Sequence, residues 1–471
     1  MTNNTAPLSL GYESIGKLMK QYSIPAIIAM CASALYNMVD TICIGQAFKG
    51  VTVVDAVTGV AKDVDILALA GLSVTFPFMN LASAFGALVG IGASTLISVK
   101  LGQKDYRTAQ DILGNVVTLN TVIGISFSVI TLLFLDPILR VFGATPDTMP
   151  YARDYMEIIL LGNVVTHFYF GLNAVLRASG HPSMAMTATI CTVIINTILD
   201  VIFIFGFGWG IRGAAIATVL AQGLALSWQF YFFSNKDRLI HFKKGTYRLR
   251  KKIVKEILSI GMSPFLMNAT ACFIVLFINN SFLKYGGVMG DYYIAAYGIV
   301  NRIVFLFLMV VMGFNQGMQP IAGYNYGARL YGRVRKVLYI TILCGVSVTT
   351  IGFLIAQFIP EYAVALFSGN ETIIELASEG LSVSTYAFIF VGFQMVVSNF
   401  FQSIGLAAKA IFLSLTRQLI YLLPMLYFLP MSLGPVGVWW SMPISDFLAS
   451  VTAAVMLWYQ FRLFKKQEQA K

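Results

Sequence analysis

The sequence predicts an all-α polytopic membrane protein, with twelve transmembrane helices in two six-helix lobes. Three observations predict it. Of 471 residues, 58% are hydrophobic and only 11% are charged, too few to solvate a water-soluble fold of this length. The apolar residues come in runs of about twenty or more, the length a helix needs to cross a bilayer. A membrane barrel would instead show short alternating strands. Finally, the second half of the chain repeats the first at a constant shift.

The elements follow in order. Residues 1–23 form a cytoplasmic N-terminal segment. Within it, 13–22 places Ile15, Leu18 and Met19 on one side, with Lys17 and Lys20 among them, which suits a short amphipathic helix at the membrane surface. Six spans are expected near 24–47, 67–98, 112–135, 155–178, 183–206 and 211–233, and together they make the N-lobe, 24–233. A basic segment, 234–256, links the halves. The C-lobe, 257–460, holds spans near 257–283, 294–320, 336–358, 376–402, 408–430 and 436–460. A tail, 461–471, completes the chain. No removable signal peptide is expected, so the first span is its own insertion signal.

Placing both termini in the cytoplasm puts most of the 32 Lys and Arg residues in inner loops. These include Lys100, Lys104 and Arg107, the run from Lys236 to Lys255, and Arg329, Arg333, Arg335 and Lys336. The outer loops are acidic, with Asp55, Asp63, Asp136, Asp147, Glu361, Glu371 and Glu375 among them. This bias sets orientation in a multi-pass protein of a cytoplasmic (inner) membrane. It also explains the net charge of +11 without nucleic acid as a partner. The five cysteines have no metal or disulfide spacing and read as small core hydrophobes. His167, His181 and His241 are scattered, so no metal centre is expected. With no phosphate-binding loop or nucleophile elbow, the chain is not expected to be an enzyme or to need a cofactor.

The repeat is visible in short stretches. Lys100-Leu-Gly-Gln-Lys-Asp-Tyr-Arg107 answers Asn325-Tyr-Gly-Ala-Arg-Leu-Tyr-Gly332 at a shift of 225. At the same shift, the segment from Arg140 meets that from Ala365, and the segment from Leu176 meets that from Phe401. Pro25 before span 1 answers Pro264 before span 7. Six spans per half bring both halves in from the same side, as parallel repeats about an axis along the membrane normal. The repeat also exposes an asymmetry. Asp40 falls opposite Asn279, and Asp200 opposite Met425.

Carboxylates at bilayer depth are costly and mark functional sites. Asn196 and Asp200 are four residues apart, and so share a helix face. Tyr36, Asn37 and Asp40 share one on span 1. At 1.5 Å per residue, Asp40 and Asp200 lie about 22–26 Å above the inner boundary, and Thr218 about 10 Å below the outer one. All three land in the outer half of the membrane on this arithmetic, which is compatible with one pocket and does not by itself make them neighbours. Two desolvated carboxylates there invite a neutralising cation, either a proton or a sodium ion held by Asp, Asn and Thr oxygens. The same groups also suit hydrogen bonds that tie helices together. Asp446, in span 12 beside Pro443, is a third acid; it suits a substrate cation or a proton, or a capped polar residue at a kink. Arg417, Arg302 and Arg177, near span ends, are expected to snorkel or to make contacts within the lobes, more than to bind ligand.

These stretches resemble the MATE family, the multidrug and toxic compound extrusion transporters, especially its bacterial MepA-like and DinF-like branch. The residues that carry the resemblance are Tyr36-Asn-Met-Val-Asp40, Lys100-Leu-Gly-Gln-Lys-Asp105, Arg177-Ala-Ser-Gly-His-Pro182, Asn196-Thr-Ile-Leu-Asp200 and Gly213-Ala-Ala-Ile-Ala-Thr218. The resemblance covers nearly the whole chain. It implies export of cationic amphipathic drugs in exchange for protons or sodium, by alternating access of two lobes. It also implies a cation site on Asp40, Asn196, Asp200 and Thr218, with Tyr36 and Asn37 near it. The partners would be small-molecule drugs and membrane lipid, with the protein acting as a monomer. The NorM-like branch carries acids in spans 7 and 10, and here the stretches from Pro264 to Phe277 in span 7 and from Ser382 to Gln394 in span 10 have none. Two other functions stay open: a lipid-linked oligosaccharide flippase of similar design, and a non-transporting membrane receptor or scaffold.

Overall fold

The computed structural model describes residues 9–47, 52–54 and 61–469, excepting the side chains of 35–42, 45–47, 52–54, 61–63, 65–66 and 77. Among the described residues the chain is mostly helical, with one short antiparallel strand pair and an irregular segment at 235–250, and it divides into two compact units. Of the described residues, unit 1 comprises those within Cys31–Ile97 and Asp105–Gly261, and unit 2 those before Cys31, Ser98–Lys104 and those from Met262 onward.

The elements of the first half are α1 (Ile15–Ala47), the strands β1 (Thr52–Val54) and β2 (Ala61–Asp63), and the helices α2 (Val64–Gly102), α3 (Tyr106–Leu133), α4 (Leu135–Val141), α5 (Met149–Leu161), α6 (Asn163–Ala178), α7 (Pro182–Asp200) and α8 (Gly210–Ser234). The second half has α9 (Lys251–Gly286), α10 (Gly290–Gly327), α11 (Tyr331–Phe358), α12 (Pro360–Ala365), α13 (Glu371–Ser384), α14 (Phe388–Ser403), α15 (Ala407–Leu415), α16 (Leu423–Leu433) and α17 (Pro435–Gln469). Wide π turns follow α7 at Val201–Gly206 and α15 at Thr416–Leu422. Among the described residues eight helical stretches are long and apolar enough to span a membrane, and ten if each bent pair is one span. One stretch, Lys251–Gly327, contains both α9 and α10. Counting these two separately and adding α1 gives the twelve spans that hydropathy predicts.

Local signals explain where helices start and stop. Asp105 caps α3 by accepting from the Thr108 N–H at 3.1 Å, and Asn370 caps α13 by accepting from the Ile373 N–H at 3.2 Å. Proline opens α7, α12 and α17, where its missing N–H costs no hydrogen bond. The repeat appears in these boundaries. Adding 225 to Tyr106–Leu133 gives Tyr331–Phe358, and to Asn163–Ala178 gives Phe388–Ser403, residue for residue. Even the left-handed residues recur: Lys104 (φ 61°) with Arg329 (φ 58°), and Gly180 (φ 93°) with Gly405 (φ 76°). The first span repeats at the proline shift of 239 instead, since Ala47 then maps onto Gly286. The 14-residue difference is absorbed after α1, where the β1–β2 connection replaces the short turn Gly287–Met289.

Packing follows the logic of a lipid solvent. Outer faces stay apolar, with Val122, Ile125, Val129 and Leu133 of α3 exposed. Close approach then depends on small residues. A Cβ on Gly92 would lie 2.1 Å from the Ile257 carbonyl oxygen, and one on Gly261 would lie 1.7 Å from that of Leu88. In unit 2 the same device recurs, with Gly313 against Ile27 and Gly317 against Ser23.

Three features depart from the sequence expectation. Residues 13–22 are not a separate surface helix. They continue into α1, and Ile15, Leu18, Met19 and Tyr22 are buried in unit 2. Spans 4 and 10 are broken, with bends of 56° between α5 and α6 and 57° between α13 and α14. The first bend falls at Gly162, where Val219 of α8 presses so closely that no Cβ would fit. The cysteines are not core residues: Cys31 and Cys191 are exposed, and the other three are half-buried.

The basic segment is docked on α3 in unit 1. Asn115 donates to the Thr246 carbonyl at 3.2 Å and accepts from the Arg250 N–H at 2.9 Å. Asp111 pairs with Arg250 at 2.6 Å, and Thr118 donates to the Tyr247 carbonyl at 2.6 Å. Asn115→Ala is expected to strand buried backbone groups at a cost of about 1–3 kcal/mol. Trypsin cleavage within 243–252 on inside-out vesicles should then accelerate roughly tenfold where opening limits the cut. Unchanged cleavage would show that these bonds do not hold the segment.

Candidate functional site

The site is built in unit 1 where α7 ends and α8 passes it. The sequence allows the approach because α8 begins with small residues. Gly213, Ala214, Ala215 and Ala217 are all buried, and a Cβ on Gly213 would press on the Phe203 backbone at 3.0 Å. The π turn Val201–Gly206 starts directly after Asp200, and such turns often accompany functional residues. Phe203, Phe207 and Trp209 stack around it, with centroids 5.2–5.9 Å apart.

Three predicted residues come together here. Asp200 is fully buried, Asn196 is 1% exposed and Thr218 is 5% exposed. The Asn196 amide, turned to satisfy both neighbours, donates to Asp200 Oδ2 at 3.1 Å and accepts from the Thr218 N–H at 3.1 Å. The Thr218 hydroxyl donates to the Ala214 carbonyl at 3.1 Å. Oxygens of an acid, an amide and a hydroxyl thus converge in a dry environment, a donor set suited to a small hard cation or a proton. Tyr36, Asn37 and Asp40 lie along α1, and their side chains are outside the described residues.

The third predicted acid, Asp446, lies elsewhere, in unit 2. It is 6% exposed and accepts from Arg417 Nε at 2.6 Å. Arg417 therefore does not snorkel; it forms an ion pair across neighbouring helices. The sequence did carry a signal for this, since opposite charges within adjacent spans tend to pair. Gln394 ties α14 to α15, donating to the Leu413 carbonyl at 3.2 Å. Periodicity gave no notice of His167, fully buried with Nε2 3.2 Å from the Ala82 carbonyl oxygen.

A helical membrane protein of two repeated units with a buried acid–amide–hydroxyl cluster is the design of a transporter. The MatE family model matches residues 56–202 and 265–428, and the chain belongs to that family. It is 28% identical to the multidrug export protein MepA of Staphylococcus aureus, over 94% of this chain and 93% of that one. Identity to MepA of Staphylococcus haemolyticus is 27%, over 94% of each. Among solved structures, the MATE multidrug transporter DinF-BH superposes with a TM-score of 0.86 and 33% identity, over 96% of this chain and 98% of that one. A MATE transporter in the bent conformation, at 23% identity and a TM-score of 0.87 over 98% of each chain, shares the fold.

Proposed function

We propose that this protein is a secondary-active multidrug exporter, driving cationic amphipathic compounds out of a bacterial cell in exchange for protons or sodium. The observation that carries the reading is the fully buried Asp200, held by Asn196 beside Thr218 in unit 1. A carboxylate so placed gains most from a cation that neutralises it, because a buried charge without a partner is costly. The chain's kinship with proteins named for multidrug export supports the drug class. In this mechanism Asp40 joins Asp200 as a second acid, with Tyr36 and Asn37 at the rim. Binding of the cation lowers affinity for the drug, and alternating access exposes the site to each side in turn. Both termini face the cytoplasm, the inner membrane is the setting, and a monomer suffices. The membrane gradient supplies the energy, so no nucleotide takes part.

Ethidium accumulation in cells lacking their own exporters tests this. Expression should lower steady-state accumulation, and an uncoupler or sodium ionophore should restore it. Equal accumulation with and without expression would remove the proposal.

A further inference from the structure

Unit 2 contains a cavity of about 280 Å³. This is close to the lower end of small-molecule sites, roughly 300–1,000 Å³. Met267, Ile278, Val304, Phe305, Met395 and Met442 give it an adaptable apolar wall. Arg417 and Asp446 line the same cavity as an ion pair. Their geometry is end-on: Arg417 Nε donates to Asp446 Oδ1 at 2.6 Å. Of the five guanidinium N–H groups, the four on the amino nitrogens have no acceptor among the described residues. Asp446 Oδ2 likewise receives no protein hydrogen bond among them.

The repeat shows that the fold does not need this pair. At the shift of 225, Arg417 corresponds to Thr192 and Asp446 to Ala221, so the first half packs the same helices with neutral residues. The π turns argue the same way. That of unit 1, Val201–Gly206, would map onto 426–431, yet that of unit 2 is at Thr416–Leu422. In unit 1 the turn abuts Asp200, and in unit 2 it carries Arg417. In each unit the widened turn has gone with the charged side chain instead of with the repeat.

Net charge is costly to add to a desolvated site, whereas matched opposite charges offset one another. A ligand of single charge would leave this cavity unbalanced, and a zwitterion would not. We propose that the unit 2 cavity binds a zwitterionic amphipath. Its carboxylate takes the open amino edge of Arg417, its ammonium takes the open oxygen of Asp446, and its apolar body lies along the Met-rich wall. This goes beyond the efflux reading and stands apart from it, because it concerns binding within one unit.

The test uses the purified full-length protein in nonionic micelles, with thermal unfolding followed against three probes of similar chain: 2-aminododecanoic acid, dodecanoate and dodecylammonium. The zwitterion should bind about tenfold or more tighter than either singly charged probe, since only it engages both charges. Arg417→Gln should turn the preference toward dodecylammonium, and Asp446→Asn toward dodecanoate. Misfolding would not produce opposite reversals. If either single variant fails to fold, the neutral double variant Arg417→Gln/Asp446→Asn decides, and it should bind all three probes alike. Equal affinities in the wild type would overturn the proposal, as would a zwitterion preference that survives in the double variant. Loss of drug transport with this preference intact would count against the efflux reading alone.

Discussion

Asp200→Asn is expected to reach the membrane in wild-type amount and to export nothing. The carboxamide has the shape of the carboxylate and still offers an oxygen to the Asn196 amide, now 3.1 Å from Asp200 Oδ2. Packing of α7 against α8 therefore survives. What is lost is the ionisable group in a fully buried position, and with it, on the proposed mechanism, the ability to take and release a cation. A mid-membrane acid without that role is rare, so the expected fall in ethidium efflux is to the level of cells without the protein, at least about tenfold. Thr218→Val should be milder, because it removes one hydroxyl and leaves the charge. If Asp200→Asn exported at the normal rate, the cluster would be helix-tying hydrogen bonds and nothing more.

Gly261→Val is expected to be the most damaging single change to folding. The new Cβ would lie 1.7 Å from the Leu88 carbonyl oxygen and 2.6 Å from its carbon. Backbone cannot turn aside as a side-chain tip can, so α9 must separate from α2. Overpacking typically costs about 1–3 kcal/mol, and occasionally more; with backbone on both sides of the contact the upper end is expected. Gly92→Val should behave alike, since its Cβ would meet the Ile257 carbonyl oxygen at 2.1 Å. Gly332→Ala is the control, with nothing within 4 Å of its Cβ. Helix propensity there favours Ala by about 0.5–1 kcal/mol. Detergent-solubilised protein heated and then assayed for monodispersity reports the order. A Gly261→Val protein that melts with the wild type would mean that these two helices are not packed this closely.

How much was legible depends on the range of the signal. Spans and repeat are written in local pattern, and the 225 shift read from a few short stretches reappears as matching boundaries of α3 with α11 and α6 with α14. Asn196 and Asp200 were legible because helical spacing puts them on one face; Thr218 was singled out by the family resemblance, and depth arithmetic puts it in the same half of the membrane. The bends at Gly162 and before Phe388 were not, because both halves of each broken span remain apolar and hydropathy is blind to direction. The docking of the basic segment was hidden because Asn115 and Thr246 are 131 residues apart. The Arg417–Asp446 pair was missed for a different reason. Each charge was weighed alone, Arg417 by its place near a span end and Asp446 by the kink at Pro443, when the cost of burying one is best met by the other.

The central claim is that the Asp200 cluster couples a cation gradient to drug movement. Ethidium uptake into everted membrane vesicles tests it most directly, with a proton gradient and a sodium gradient imposed separately on wild type and on Asp200→Asn. The account predicts uptake in the wild type under at least one gradient, collapse when that gradient is dissipated, and none in the variant under either. Uptake by Asp200→Asn equal to that of the wild type, or wild-type uptake that persists without any gradient, would contradict it.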